Sequence, residues 1–424
     1  MNIAIIALGT RGDVQPYIAL GLGFKRMGHQ VRIVTHTNFS SFVDAYGLDF
    51  APVKMSIEDL LGGEAGQAIL VSGNNKVAFF RHFTQIARPV MKKVLSDTWH
   101  ACRESDVILH SFFGLFASKS IAERLNVPFY PALIWPDTPT YAFAHHLCPP
   151  EFRLGRVYNR LTYTVIEQVF WRLFRHLFNA VREEVLELPP VKKIPFPQIR
   201  KDRIPVLYGY SSSVLPRPQD WPDWVHVTGY WFLENYSHWL PPDDLVDFLK
   251  SGSKPVYIGF GSMSNHDPVH MTNTAIQALK LSKRRGVIVG GQYGRAEGNL
   301  PEEVYQIDEI PHDWLFPQMD AVVHHGGAGT VAAGLRAGCP TIVIPFFSDQ
   351  PFWGWCVYKA GAGPKPISRK KLTPELLADV ITTVVNNKSM KQSAEAIGER
   401  IREENGVERA VELIHYYTNK AGKP

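Results

Sequence analysis

The sequence predicts an α/β protein built from two halves, each a parallel sheet with crossover helices. Three observations predict it. The chain has 424 residues, too many for one ordinary core of ~100–200 residues. The first apolar run, Ile3–Leu8, lacks a preceding basic region and reads as a buried first strand rather than a signal peptide. The order strand, glycine turn, helix, strand opens the chain and begins again near residue 255.

The elements follow in order. After Ile3–Leu8 comes the loop Gly9–Gln15. A helix runs from Pro16 to about Met27, with apolar positions at Ile18, Leu22 and Met27, and Gly28-His29 ends it. Val31–Thr35 is the next strand, which completes a βαβ unit with a right-handed crossover. Asp106–His110 and Pro128–Ile134 are strands flanking a helix at Leu115–Leu125. Phe152–Leu188 is helical, with Val165, Ile166, Val169, Phe170, Leu173, Phe174, Leu177 and Phe178 on one stripe. A wide apolar stripe fits a helix packed in the core with solvated arginines. An interfacial helix or the wall of a greasy pocket is the competing reading, because Arg153, Arg156, Arg160, Arg172 and Arg175 face only Glu167 up to residue 175.

The second half contains strands Pro255–Phe260, Gly286–Gly290, Ala321–His324 and Thr341–Pro345, with helices around Val269–Lys283 and from near Gly329. Ser389–Tyr417 is one helical tail, apolar at Ala396, Ile397, Ile401, Val407, Val411 and Ile414. Gly229–Gly252, rich in Trp, Tyr, Pro and acidic residues, holds the interdomain connection. The resulting domains are 1–233, a linker at 234–252, 253–388, and a tail 389–424 packing back on the first domain.

Composition narrows the function. Hydrophobic residues are 45% and charged residues 20%, as in a globular chain. The net charge of +5 is too small and too dispersed to call for nucleic acid. Aromatic residues, at 12%, suggest an aromatic-lined pocket or a membrane-facing surface. The four cysteines, Cys102, Cys148, Cys339 and Cys356, form no C-x-x-C, which fits a reducing, cytoplasmic setting. No apolar stretch approaches the ~20 residues of a membrane span.

Two turns resemble phosphate sites. Gly9-Thr10-Arg11-Gly12-Asp13 is neither G-x-G-x-x-G nor a P-loop. His324-His325-Gly326-Gly327-Ala328-Gly329-Thr330 carries more signal. Its small residues admit a ligand close to the backbone, and the following helix presents unpaired N–H groups to an anion. Asp349-Gln350 suits several hydroxyls, as on a sugar, although Asp349 is also placed to cap a helix. Trp314 offers a face to a base or belongs to the core. Gln15, preceding Pro16, is biased away from helix, which leaves Asp13 in a loop as a proton acceptor or an Asx-turn residue. A metal is not expected: no D-x-D occurs, His324 and His325 point to opposite faces of a strand, and His145-His146 lack a third ligand nearby in sequence.

These segments together resemble the GT-B glycosyltransferases. The residues that carry the resemblance are Ile310–Pro317, Val323–Thr330, Gly338-Cys339-Pro340, Pro345–Gly354, Gly9–Pro16, Thr228–Trp231 and Gly259–Ser262. More narrowly they are similar to the sterol 3-beta-glucosyltransferases, with glycopeptide-antibiotic glycosyltransferases as cousins. The likeness is weak between about residues 55 and 205. It implies two Rossmann-like domains facing across a cleft and inverting transfer of glucose from UDP-glucose to a lipophilic, sterol-like alcohol, with no cofactor or metal beyond the nucleotide sugar. It implies Asp13 as general base and the loop Gly9, Thr10, Arg11 and Gly12 beside it. It implies Trp314 against the base, Ser262, His325, Gly327, Ala328, Gly329 and Thr330 around the diphosphate, and Asp349 with Gln350 on the sugar. Plant-type members carry Glu three residues after the hydroxyl residue. Here Ala333 stands there, so UDP and dTDP both remain open. Ser348 replaces a glycine common before Asp-Gln.

Phe112, Phe113, Trp135, Tyr141, Phe170 and Phe174 form the expected acceptor pocket. The alternatives are a tailoring glycosyltransferase for antibiotic, flavonoid or terpenoid aglycones, a nucleotide-sugar epimerase or hydrolase, and a non-catalytic sugar-nucleotide sensor. A peripheral membrane contact through Phe152–Phe178 accompanies the interfacial reading of that helix.

Overall fold

The computed structural model describes residues 1–54, 76–152, 154–234, 239–260, 268–289, 300–308 and 310–421. The first half is built on a seven-stranded sheet: β1 (Asn2–Ile6), β2 (Gln30–His36), β3 (Asp49–Val53), β4 (Val107–His110), β5 (Phe129–Leu133), β6 (Val206–Tyr208) and β7 (Val225–Val227). Its order is β3-β2-β1-β4-β5-β6-β7, and every pairing is parallel. The second sheet joins β8 (Val256–Gly259), β9 (Gly286–Val289), β10 (Val304–Ile307), β11 (Ala321–His324) and β12 (Thr341–Val343) in the parallel order β10-β9-β8-β11-β12. The central strands β4 and β8 are buried along their whole length. Parallel strands covered by helices on both faces require the near-continuous apolar runs that the sequence shows.

In each sheet the strand order reverses between two neighbours, β1/β4 and β8/β11. Loops leaving the carboxyl ends of such strands diverge to opposite faces and open a crevice. The segments 9–13 and 325–330 follow β1 and β11, so topology alone places both at a crevice.

The first helix, α1 (Arg11–Arg26), begins five residues before the expected start at Pro16. Asp13 therefore sits in its first turn and not in a loop. The Thr10 N–H and hydroxyl both donate to Asp13 Oδ2, at 2.8 and 2.9 Å, and the Asp13 N–H donates to the Thr10 carbonyl at 2.9 Å. These bonds hold the turn helical against the bias of the Gln15-Pro16 pair. Further helices of the first half are α2 (Ser40–Asp44), α3 (Lys76–Cys102), α4 (Leu115–Leu125), α5 (Arg156–Leu186) and α6 (Pro195–Lys201). The second half adds α7 (Asp243–Lys250), within the expected linker, α8 (Pro268–Ser282), α9 (His312–Leu315), α10 (Ala328–Arg336), α11 (Gln350–Lys359) and α12 (Pro374–Asn386).

The expected single tail helix is two, α13 (Lys388–Glu403) and α14 (Gly406–Ala421). The break has tertiary causes. Ser211 donates to the Glu404 carboxylate at 2.6 Å, and a Cβ on Gly406 would lie 2.3 Å from the Tyr230 carbonyl oxygen. Past the break, Val407 and Val411 press against Gly23 of α1, and Arg26 pairs with Glu408 at 2.8 Å. One apolar core runs from β1 and α1 through Trp231 and Trp353 to α13 and α14.

The long helix α5 does not bury the stripe as the sequence reading had it. Trp171, Leu177 and Phe178 are buried, while Val165, Val169 and Leu173 are exposed. Phe170 stacks on Phe116 with centroids 5.6 Å apart, and Phe174 lies 4.6 Å from Phe170. The inner face of this helix thus packs against α4, and the outer face meets solvent.

Candidate active site

The two crevices face each other. On the first side, Gly9 has φ +135°, and a Cβ there would lie 2.5 Å from Asp13 Oδ2. Glycine lets the chain leave β1 and turn under the Asp13 carboxylate. Asp13 is partly open to the cleft, yet protein surrounds it closely enough that burial raises its pKa, against the lowering by the two Thr10 donors. Arg11 and Gly12 are exposed at the rim, with the Arg11 guanidinium 4.9 Å from the Phe42 ring centre.

On the opposite side, Gly327 is the N-cap of α10 and no side chain caps it. The N–H groups of Ala328, Gly329 and Thr330 head the helix, where intrahelical acceptors are lacking. Gly329 is exposed, and nothing lies within 4 Å of where its Cβ would be. The His325 ring covers Gly327, whose Cβ would sit 2.7 Å from His325 Nε2. Burial pulls the His325 pKa down to about 4, so at neutral pH the imidazole is uncharged and can donate one hydrogen bond. His324 is fully buried and accepts the Gly326 N–H at 2.9 Å through Nδ1. It shapes the turn and does not face the cleft side as His325 does.

Asp349 occupies the N-cap position of α11, but its side chain makes no capping hydrogen bond. Its pKa is raised to about 7, mainly by burial, with the like charge of Asp13 adding to the effect. The two carboxyl groups, one from each half, thus feel each other's charge. Gln350 Oε1 accepts the Phe346 and Phe347 N–H groups at 2.7 and 3.1 Å. That oxygen braces the loop, leaving the amide NH2 as the end that can turn to a hydroxyl. Ser348 has φ +60°, the left-handed conformation that explains a preference for glycine at this position.

Trp314 lies on α9, half-buried, with its ring 5.1 Å from Trp239. Beneath it His312 stacks on Phe316 at 4.3 Å. Ser262 lies outside the described residues.

The expected acceptor aromatics divide into two groups. Phe112 touches Phe113 and Trp135, at 5.5 and 5.6 Å between centroids. Phe170 and Phe174 belong to the Phe116 stack on α5. Phe196 is 6.5 Å from Phe170 and also lines a cavity with Phe112, His110, Asp137 and Tyr208, which links the groups. Tyr141 lies beneath the Arg160 guanidinium at 4.9 Å. Where the two halves pack together, Phe143 meets Phe352 at 5.6 Å and the buried Tyr210 meets Trp353 at 5.6 Å.

His145-His146 have no third ligand nearby in sequence, yet the fold brings one beside them. Asp137, His145 and His146 gather potential ligand atoms within 4.8 Å of one another, with His145 Nε2 3.0 Å from Asp137 Oδ1. His145 Nδ1 accepts the Leu147 N–H at 3.2 Å, so Nε2 carries the proton and donates to Asp137. That arrangement is complete as a hydrogen-bonded pair. The irregular loop after β5 brings Asp137 back beside the histidines, and no periodic pattern signals such a return.

Comparisons with known proteins agree with this geometry. Residues 3–144 match the family model described as the glycosyltransferase family 28 N-terminal domain. Residues 286–411 match that of the erythromycin biosynthesis protein CIII-like C-terminal domain. The chain is 39% identical to a sterol 3-beta-glucosyltransferase of Emericella nidulans, over 98% of this chain and 30% of that protein. It is 38% identical to one of Neosartorya fischeri, over 98% of this chain and 29% of that protein. The chain thus spans about 30% of the length of the curated relatives it matches. Among solved structures, the glycotransferase of kitacinnamycin aligns with a TM-score of 0.68 at 20% identity, covering 98% of each chain. Glycosyltransferase VinC, solved with DTDP, aligns with a TM-score of 0.68 at 18% identity, covering 100% of each. At these identities the structural likeness carries the fold alone.

Proposed function

We propose that the chain, whose two halves match the glycosyltransferase family 28 N-terminal and erythromycin biosynthesis protein CIII-like C-terminal models, is a GT-B glycosyltransferase that transfers glucose from UDP-glucose to the hydroxyl of a sterol-like alcohol with inversion. The observation that carries this reading is the placement of Asp13 in the first turn of α1 and of Asp349 at the head of α11, the helix whose Phe352 meets Phe143 of the first half at 5.6 Å.

In this reading the uracil stacks on Trp314, and the diphosphate lies over the head of α10. Its charge is met there by the backbone N–H groups of 328–330 and by a hydrogen bond from neutral His325. Asp349 and the Gln350 amide hold the glucose hydroxyls. Asp13 accepts the proton of the acceptor hydroxyl as its oxygen bonds to the anomeric carbon. The bond from that carbon to the diphosphate oxygen breaks on the opposite side, and UDP leaves with the electron pair. Burial raises the Asp13 pKa, which makes it a better base than a solvated carboxylate. No metal has a role in this scheme.

The sterol-like acceptor is supported by the sequence likeness, which covers 98% of the chain and so includes the first half where the aromatic cavity lies. A soluble antibiotic, flavonoid or terpenoid aglycone is the competing acceptor. An acceptor panel with UDP-glucose separates them: turnover of macrolides or flavonoids with none of sterols overturns the sterol assignment. Asp13→Asn tests the base. We expect UDP affinity near that of the unmodified chain and a kcat lower by about 10²-fold or more; unchanged turnover removes Asp13 from the mechanism.

A further inference from the structure

The outer face of α5 carries Val157, Leu161, Val165, Val169 and Leu173, exposed by 68, 54, 57, 50 and 41%. At 100° per residue they fall within an arc of about 160° and extend along about 24 Å of helix. Leu147, Phe152 and Leu154, just before the helix, are exposed as well. A contiguous apolar surface of this kind on a globular domain marks something that covers it.

The charge around the stripe identifies what. Arg156 and Arg160 flank its N-terminal edge and Arg172 and Arg175 its C-terminal end, all four exposed. The carboxylate within that stretch, Glu167, is buried and paired with Arg200, 3.0 Å from its Nη2. Two copies packed face to face would bring like charges together. A bilayer surface with anionic headgroups accepts both features, the apolar row entering the acyl boundary and the arginines staying among the headgroups. No helix among the described residues is long and apolar enough to cross a membrane, so the contact is one of lying on the surface.

The position of the face gives it a purpose. The inner side of the same helix stacks Phe170 on Phe116. Phe113, three residues before Phe116, is 48% exposed, and Phe112 beside it leads to Trp135. Phe170 also lies 6.5 Å from Phe196, which lines the cavity with Phe112, so aromatic rings connect the inner side of this helix to the cavity. We propose that the exposed face of α5 docks on an anionic lipid bilayer and brings the acceptor cavity to the source of a membrane-dissolved alcohol. Only this purpose rests on the proposed function; the surface itself is defined by exposure and charge.

Vesicle sedimentation tests the proposal without donor or acceptor, so its outcome is independent of the proposed reaction. The full chain is spun with vesicles of phosphatidylcholine alone and of phosphatidylcholine with phosphatidylserine. We expect pelleting with the anionic vesicles that falls as salt rises. Leu161→Asp with Val165→Asp should lower the partition at least about tenfold. Arg172→Glu with Arg175→Glu should abolish the preference for anionic vesicles. Both variants should melt as the unmodified chain does and should glucosylate a detergent-dispersed acceptor at its rate. Absence of vesicle binding by the unmodified chain, or equal pelleting of the arginine variant, overturns the proposal. A concentration-dependent dimer that Leu161→Asp with Val165→Asp dissolves, without vesicle binding, assigns the face to a second copy and overturns it also.

Discussion

Replacing Asp349 by asparagine should change how stability depends on pH, and the structure sets the size of the change. Burial, with Asp13 nearby, raises the Asp349 pKa from 3.8 to about 7. The unfolded chain releases this proton near pH 4, while the folded chain keeps it until about pH 7. Between those values the folded state binds more protons, so stability falls as pH rises, and the loss is complete above pH 7. A shift of about three units at 1.36 kcal/mol each gives about 4 kcal/mol as a ceiling. Asp349→Asn has no proton to lose. Relative to the unmodified chain it should therefore gain stability on going from pH 4 to pH 8, by up to about 4 kcal/mol. Urea unfolding of both proteins at the two pH values measures this double difference, in which the titrating groups not coupled to Asp349 cancel and the coupled Asp13 contributes a smaller part. Parallel pH profiles for the two proteins would refute the claim that Asp349 is held in a desolvated cleft. Donor binding should reverse part of the penalty, because sugar hydroxyls would solvate the carboxylate.

Three further outcomes follow from the site. Gly9→Ala forces a side chain into a positive-φ position and against Asp13 Oδ2, so it should cost about 1–3 kcal/mol of stability and lower kcat. A thermal melt together with initial rates checks both, and normal values for each would show that the Gly9 turn does not position the carboxylate. Trp314→Ala should weaken UDP binding by about tenfold or more, the worth of a base–aromatic stack, with a smaller effect on kcat. Calorimetric titration with UDP reads it, and undiminished affinity places the base elsewhere. Prolonged dialysis against EDTA should leave the rate unchanged; a loss restored by Mg²⁺ would overturn charge neutralisation by the head of α10 and His325.

How far the sequence exposes this architecture depends on where each determinant lies. The strands were legible because a sheet covered on both faces demands unbroken apolar runs, and Ala321–His324 is such a run in both readings. The loops of the candidate site are legible as segments because each is one short stretch at a strand end: the glycines, His325 and Thr330 lie within a few residues of one another. The start of α1 was misjudged because a local rule about residues before proline met a stronger local interaction, the Thr10 bonds to Asp13. The break between α13 and α14 could not be read at all. Apolar spacing passes through it undisturbed, and its causes, Ser211 and Tyr230, lie nearly two hundred residues away.

The helix at 156–186 shows the limit most plainly, and also its use. Hydrophobicity reports that a residue would gain from burial, not that the fold buries it. Val165 and Leu177 read alike in the sequence, yet one is 57% exposed and the other 7%. For most of a globular chain that distinction is lost, because the core covers nearly every periodic apolar position. Where the fold leaves a row uncovered, the residual pattern becomes information about something outside the chain. The arginines sharpen that information. Guanidinium groups beside an uncovered apolar row lower the free energy of only those surfaces that are both greasy and negative. If such a row does dock on a bilayer, as proposed above, an acceptor that does not diffuse through water follows from it, and that requirement would constrain the acceptor more tightly than the cavity walls do.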